Sequence, residues 1–247
     1  GPRLFELLGW EGGRGVKRFE HTAMTEGAPV LSVRDLHFPA LPPMTFDIRR
    51  GEIAFLRDEN YNTGRRLHEC FLGDRGWTSG FFRLNGRLYQ PGDLGRVIGS
   101  EIGIQIERPD RPGGVLFDNM TALDNLCTSL IPKAGQHIIR KKIVSSILSE
   151  ALRWFPKEML LQPLSSWSYP ERLRFSYYRW YLLNPRLLIC FFPFAGQEST
   201  HHKMIIDLLV LCAQRGMAVW IISSGIDAIC EKTDNEEFLR RLHYLNK

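Results

Sequence analysis

The sequence predicts an α/β fold in which a mostly parallel β-sheet is flanked by helices. Two continuous apolar runs, RLLICFFPF (186–194) and MAVWIISS (217–224), have the length of strands that are buried on both faces. They flank the helical segment STHHKMIIDLLVLCAQRG (199–216), and a strand, a helix and a strand in this order form the βαβ unit of a parallel sheet. A chain of 247 residues, 44% of them hydrophobic, can bury such a core without metals or disulfides.

The N-terminal part of the sequence predicts a small antiparallel β subdomain. VLSVRDLHF (30–38) and MTFDIRR (44–50) read as strands, and FFRLNGRLYQ (81–90) carries an Asn-Gly hairpin signal. GEIAFLR (51–57) predicts a buried strand, which we expect to lie beside the strand at 187–192. We interpret residues 1–27 as a tag remnant and linker, and 28–247 as a single domain.

Helices are predicted between these strands. GRRLHECFLG (64–73) has helical spacing and stops at Gly73, and a second helix runs from Pro170 to Leu183. HIIRKKIVSSILSEALRWF (137–155) predicts one long amphipathic helix within a helical subdomain at about 121–168. Its apolar face would comprise Ile138, Ile139, Ile143, Ile147, Ala151 and Leu152. The charged tail DNEEFLRRLHYLNK (234–247) also reads as helical.

Charge and cysteine content limit the possible partners. The net charge of +5 is modest and the basic residues are interleaved with acids, so we expect no nucleic-acid partner. The five cysteines are widely spaced and lack metal-site spacing, which favours reduced thiols in a cytoplasmic protein. We expect the adjacent His201-His202 to be a solvated helix start rather than a metal site.

The order of the elements, and many single residues, resemble the ATP-binding cassette (ABC) ATPase family. The resemblance is to the second half of the tandem cassettes that power sugar importers, and it runs from about Leu7 to Asp234. It rests on the stretches RRGEI, LNGR, GIQIERPDR and NMTALDN, and on Asp110-Arg111, Asn184-Pro185 and Gly196. It implies a P-loop NTPase-like fold with an antiparallel β subdomain and a helical subdomain.

The phosphate-binding positions depart from the family pattern. A GxxxxGK[ST] loop needs backbone N–H groups around the phosphates, a lysine and a hydroxyl for Mg²⁺. The corresponding stretch, with Tyr61 inside it, places Asp58, Thr63, Gly64 and Arg65 at those positions. The negative charge of Asp58 would repel a phosphate. A shift of one residue would let Arg65 present a cation, and this alternative stays open.

The other two nucleotide-facing motifs are also altered. Where the family has Asp-Glu for Mg²⁺ and for the attacking water, this chain has Phe191-Phe192, which can do neither. We expect both rings to pack against the degenerate phosphate loop, with Tyr61 as the best-placed neighbour. In the signature stretch only Ser168 is retained, followed by Tyr169 and Pro170.

These departures predict a catalytically inactive, ABC-type pseudo-ATPase domain with an assembly or regulatory role in a sugar-type transport system. No catalytic residue or metal ligand is predicted, and ATP and Mg²⁺ binding should be weak or absent. The expected partners are the preceding cassette half, a second copy, or a membrane permease, which would place the protein in the cytoplasm or at the inner face of the plasma membrane. The alternatives are a regulatory or sensory module unrelated to transport and a weakly active ATPase.

Overall fold

A computed structural model describes residues 27–38, 41–72, 76–107, 116–133, 141–195 and 199–245. Within these residues the chain forms two compact units, one over 116–175 and the other over the remainder. The expected boundary between linker and domain, together with the residues Gly73, Asp110-Arg111 and Gly196, lies outside the described residues.

The larger unit contains a four-stranded antiparallel sheet, as predicted. Its spatial order is β2-β1-β4-β5. The strands are β1 (Leu31–His37), β2 (Met44–Ile48), β4 (Ser79–Leu84) and β5 (Arg87–Tyr89). The predicted hairpin joins β4 to β5, and both turn residues, Asn85 and Gly86, have positive φ angles of 50° and 75°. This backbone is the left-handed turn that an Asn-Gly pair favours.

The same unit contains a five-stranded sheet in which every pairing is parallel, in the order β6-β7-β8-β3-β9. Its strands are β3 (Ile53–Arg57), β6 (Ile102–Ile106), β7 (Leu187–Phe191), β8 (Ala218–Ser223) and β9 (Leu242–Tyr244). All residues of β7 and β8 are buried, as their continuous apolar sequences predict. The expectation that β7 lies directly beside β3 is wrong. Strand β8 pairs with both and separates them, because the helix after β7 leads into β8, and β8 takes the position next to β7 in the sheet.

The helices of the larger unit cover the parallel sheet. They are α1 (Asn62–Leu72), α6 (Ser199–Gln214), α7 (Ile226–Cys230) and α8 (Glu236–Arg241), with a 3₁₀ helix at Pro91–Arg96. Helix α5 (Tyr169–Leu183) confirms the helix predicted from Pro170, and its residues belong partly to each unit.

The C-terminal tail differs from its helical prediction. Helix α8 ends at Arg241, and the next three residues form the edge strand β9, in which Leu242 pairs with Ile53. The Leu245 amide donates to the Phe55 carbonyl at 2.9 Å, which extends the pairing. Strand β9 satisfies backbone groups along β3 that would otherwise lack a partner, and this outweighs local helical preference.

The smaller unit is helical. It contains α2 (Ala122–Lys133), α3 (Lys141–Ala151), α4 (Lys157–Leu160), a 3₁₀ turn at Leu164–Ser166 and the start of α5. Helix α3 is shorter than the helix predicted over 137–155. It buries Ile143, Ile147 and Ala151 as expected, whereas Leu152 lies past its end and is 44% exposed. Ile138 and Ile139 lie outside the described residues.

All five cysteines are free thiols, and none forms a disulfide. None of the helices in the described ranges is long and apolar enough to cross a membrane. Nor does any cluster of three or more His, Cys, Asp or Glu in those ranges suit a metal ion.

We expect Gly80→Ala to lower the free energy of unfolding by about 2–4 kcal/mol, because a clash with the Asp35 backbone and left-handed strain act together. At φ 92°, a Cβ at Gly80 would lie 2.2 Å from the Asp35 carbonyl oxygen. Gly86 is the matched control, since it has φ 75° but nothing within 4 Å of such a Cβ. Gly86→Ala should cost only the left-handed backbone penalty of about 1–2 kcal/mol. Equal losses in urea unfolding would contradict the predicted clash.

Candidate functional site

The loop between β3 and α1 is closed by the chain's own carboxylate. Asp58 directly follows β3, and its amide donates to the Ser223 carbonyl at 2.9 Å. Its side chain then turns back toward α1 and is buried, with 5% of its surface exposed. Oδ2 accepts the Gly64 amide at 2.7 Å, and Oδ1 accepts the Thr63 amide at 3.3 Å. Asp58 therefore satisfies first-turn N–H groups that are otherwise available to an external anion.

The space beside this carboxylate is filled by an aromatic ring. A Cβ at Gly64 would lie 2.5 Å from Phe192 Cζ and 3.2 Å from Asp58 Oδ2, so only glycine fits between them. The ring of Tyr61 lies 4.7 Å from that of Phe192, centroid to centroid. Both residues have left-handed backbones, with φ 57° and 54°. The contact expected between Phe192 and Tyr61 is thus present.

Phe191 occupies a different environment from its neighbour. It is 1% exposed at the end of β7 and meets the His68 ring edge-on, at 5.5 Å between centroids. Phe192 is half-buried, and its amide donates to the Ile222 carbonyl at 2.8 Å. Neither side chain offers an oxygen to a cation, and both are packed into the protein rather than left at an open mouth.

The two arginines after Gly64 point away from this loop interior. Arg65 is exposed on α1. Arg66, which would stand in the hydroxyl position, forms a long ion pair with Glu69 at 3.9 Å. The loop therefore has an exposed arginine near its entrance and a buried carboxylate at its centre.

The signature-like positions form a second self-capped helix, in the smaller unit. Ser168 precedes α5, and both its amide and its hydroxyl donate to Glu171 Oε2, at 2.8 and 2.7 Å. This is half of a capping box, a serine followed three residues later by a glutamate. Tyr169 and Pro170 occupy the first turn, and Pro170 brings no N–H group.

A buried polar network near the end of β6 was not predicted from the sequence. Gln105 donates through Nε2 to Glu107 Oε1 at 2.6 Å and to Ser176 Oγ at 3.0 Å, and its Oε1 accepts the Trp180 indole N–H at 2.8 Å. The network joins two segments that are 71 positions apart at Gln105 and Ser176, so only a glutamine inside an apolar strand could have signalled it. It satisfies polar groups that would otherwise be costly in the core.

A cavity of about 780 Å³ opens on the outer side of the loop. It is lined by Leu41, Arg57, Asp58, Glu59, Asn60, Asn62, Thr63 and Tyr244. Sequence reasoning identified only Asp58 and Thr63 among these, because β9, which contributes Tyr244, was read as helix. The Tyr244 hydroxyl donates to Asp227 at 3.1 Å. Burial, helped by the neighbouring Cys230 and Asp227, raises the pKa of Tyr244 well above its usual value.

Two further positions have structural roles. Phe38 is 2% exposed and belongs to the hydrophobic core. His201 and His202 lie in the first turn of α6 and are partly exposed, and the ring of His202 meets Phe194 edge-on at 5.5 Å.

Known proteins are similar to most of this chain, although no protein-family model matches it. Over 212 residues it is 26% identical to a protein of Pseudomonas syringae pv. tomato named as a ribose/galactose/methyl galactoside import ATP-binding protein, covering 84% of this chain and 40% of that protein. It is 23% identical over 202 residues to the galactofuranose transporter ATP-binding protein YtfR of Escherichia coli K12, covering 81% and 39%. The chain thus spans about two fifths of the length of the curated relatives it matches.

Solved structures share the fold. The cbiO1 protein of Clostridium perfringens, part of an ABC transporter complex, superposes with a TM-score of 0.67 at 20% identity, covering 88% of this chain and 85% of that one. The ATP-binding cassette MJ0796, solved as a dimer bound to ADP and Pi, gives a TM-score of 0.61 at 16% identity, covering 87% and 94%. The predicted α/β fold and the resemblance to ABC ATPases are confirmed, whereas the resemblance to the second half of a tandem cassette stays a prediction.

We expect Asp58→Ala to lower the free energy of unfolding by about 1–2 kcal/mol, the usual cost of removing a helix cap. The adjacent Glu59→Ala is the matched control. The Glu59 carboxylate is exposed and pairs with Arg57 only at 3.7 Å, so its loss should cost less than about 0.5 kcal/mol. Urea unfolding gives both values. Equal stabilities for the two variants would show that Asp58 does not hold the loop.

Proposed function

We propose that this chain, related in sequence and fold to the ABC ATPases, is a cassette domain that works without binding or hydrolysing ATP. Its role would be assembly or regulation within a sugar-type ABC system. The relatives are named as ATP-binding proteins, so the proposal depends on what distinguishes this chain from an active cassette. The distinction is that carboxylates of the chain itself, those of Asp58 and Glu171, lie at two of its helix N-termini.

The observation that carries the proposal is the buried Asp58 carboxylate. It accepts hydrogen bonds from the Gly64 and Thr63 amides, which in a phosphate-binding loop would face the nucleotide. A phosphate entering here would have to displace a carboxylate that is covalently part of the loop and therefore present at high effective concentration. It would also meet a like charge in a setting of reduced dielectric.

Mg²⁺ and the nucleotide do not fit the residues present. A hard cation needs oxygen ligands, whereas the end of β7 offers two phenyl rings. The Phe192 ring also occupies the space next to Gly64, where a phosphate would have to approach α1.

Helix α5, which begins at the signature-like positions, supports the same proposal for the nucleotide site of a partner cassette. In the family, the N-terminus of this helix approaches the phosphate held by the opposing cassette. Here Glu171 already accepts from Ser168, and its negative charge would repel a partner's nucleotide. The domain would therefore contribute a surface to an assembly without completing a catalytic site.

The partners we propose are the cassette half that precedes this domain, a second copy, or a membrane permease. The relatives are more than twice as long as their match to this chain, which favours the preceding half. We place the protein in the cytoplasm or at the inner face of the plasma membrane, where such partners act.

We expect isothermal titration calorimetry to give a dissociation constant for MgATP of about 1 mM or weaker. Each lost charge-assisted hydrogen bond is worth about 1.5–3 kcal/mol, so two such losses weaken binding roughly a hundredfold or more. Saturable, Mg²⁺-dependent binding in the micromolar range would contradict the proposal. In that event Arg65→Ala would test whether the exposed guanidinium supplies the phosphate contact.

Replacing Phe191-Phe192 by Asp-Glu should lower the free energy of unfolding by about 2–5 kcal/mol, because charge enters the core. It should not produce ATPase activity, since Asp58 still occupies the loop amides. Phe117→Asp is the control. Because Phe117 is 51% exposed, a charge there should change the free energy of unfolding by no more than about 0.5 kcal/mol. Recovery of ATP hydrolysis in the double variant would show that the phosphate loop is still competent.

A further inference from the structure

The cavity beside the loop has the size of a small-molecule site. Its volume of about 780 Å³ lies within the range of roughly 300–1,000 Å³ that ligand pockets occupy. Its walls come from the segment before β2, the end of β3 with its following loop, and β9. Phe192, which fills the space on the other side of Gly64, is not among the lining residues.

The charges of the walls disfavour an anion. Among the lining residues that the structure describes, Arg57 is the one cationic residue, and it is already paired with Asp227 and with Glu59. The lining residues Arg57, Asp58 and Glu59 together carry one net negative charge. A phosphorylated ligand would meet this net negative charge and would be repelled.

The hydrogen-bonding groups that remain suit a neutral ligand. Among the described residues, the side chains of Asn60, Asn62 and Thr63 have no hydrogen-bond partner in the protein. Two amides and a hydroxyl offer both donors and acceptors, as hydroxyl groups on a ligand require. The Tyr244 hydroxyl is committed to Asp227 and to the Cys230 sulfur, so Tyr244 offers the cavity its ring.

The same walls include apolar surface. Leu41 and the ring of Tyr244 line the cavity, and the Tyr244 ring is held edge-on against Phe55 at 5.7 Å between centroids. A fixed aromatic ring next to amide side chains can pack against the C–H face of a ligand while the amides bind its hydroxyls.

We propose that this cavity binds a neutral polyhydroxylated molecule of monosaccharide size, which would act as the regulatory ligand of a domain that no longer binds ATP. The proposal deepens the proposed function and rests on it, since a nucleotide in the loop would compete for the same residues. The recognition elements are Asn60, Asn62 and Thr63, with Tyr244 as the packing surface.

The test is saturation-transfer difference NMR on the full chain, with D-galactose and D-ribose as probes and their phosphorylated forms, galactose 6-phosphate and ribose 5-phosphate, as charged counterparts. We expect a saturable signal for at least one neutral sugar, with millimolar affinity. The phosphorylated form of that sugar should bind at least about tenfold more weakly, equivalent to about 1.4 kcal/mol.

Two variants locate the site. Asn60→Ala combined with Asn62→Ala should weaken binding by at least about fivefold, as expected for two neutral hydrogen bonds of about 0.5–1.5 kcal/mol each. Asn119→Ala, which removes an exposed asparagine that does not line the cavity, should leave the affinity unchanged. Both variants alter surface residues, so circular dichroism should show native folding.

Three results would overturn the inference: no signal for either neutral sugar, tighter binding of the phosphorylated sugars, or affinity unchanged in the double variant. A parallel titration with MgATP separates this failure from failure of the proposed function. If neither the sugars nor MgATP bind, only the sugar site is rejected. Micromolar MgATP binding would reject the proposed function and the sugar site together.

Discussion

The structure around this loop depends on one interaction. The Asp58 carboxylate accepts hydrogen bonds from the backbone amides of Gly64 and Thr63. A helix leaves its first N–H groups without partners inside the helix, and a buried helix start must satisfy them by some means. A phosphate-binding loop leaves that task partly to its ligand. Here Asp58 performs it, so the loop is complete in the absence of any ligand. Gly64 must then remain glycine, because Asp58 and Phe192 both approach its Cα.

Helix α5 in the smaller unit shows the same solution with a different residue. Ser168 and Glu171 satisfy each other at the helix start, where related cassettes face a partner's phosphate. Two helix N-termini that could each attract an anion therefore carry anions that belong to the chain. These intrachain hydrogen bonds support the proposal that the domain is stable without nucleotide.

The fold was predictable wherever a local pattern determined the structure. Continuous apolar runs predicted β7 and β8, and an Asn-Gly pair predicted the β4–β5 turn, because each depends on residues close in sequence. Strand β9 was missed because three residues carry little periodicity and their conformation is decided by pairing with β3. Leu152 was misplaced because helix α3 ends one residue earlier, which the apolar spacing alone could not show.

The candidate site was only partly predictable for a similar reason. The sequence indicated that Asp58 opposes phosphate, but its hydrogen bonds depend on a loop that turns back through Tyr61 in the left-handed region. The capping box of Ser168 and Glu171 could have been recognised from its spacing. The cavity could not be recognised from the sequence, since it requires Tyr244 of β9 to lie beside the loop.

The most direct measurement is the response of the Gly64 and Thr63 backbone amides in ¹H–¹⁵N NMR spectra as MgATP is added. If the Asp58 carboxylate occupies these N–H groups, neither resonance should move appreciably below about 0.1 mM nucleotide, a tenth of the expected dissociation constant. Asp58→Ala should shift both resonances without any ligand. Saturable movement of the Gly64 resonance at micromolar MgATP would contradict the account, because it would place a phosphate where the carboxylate should be.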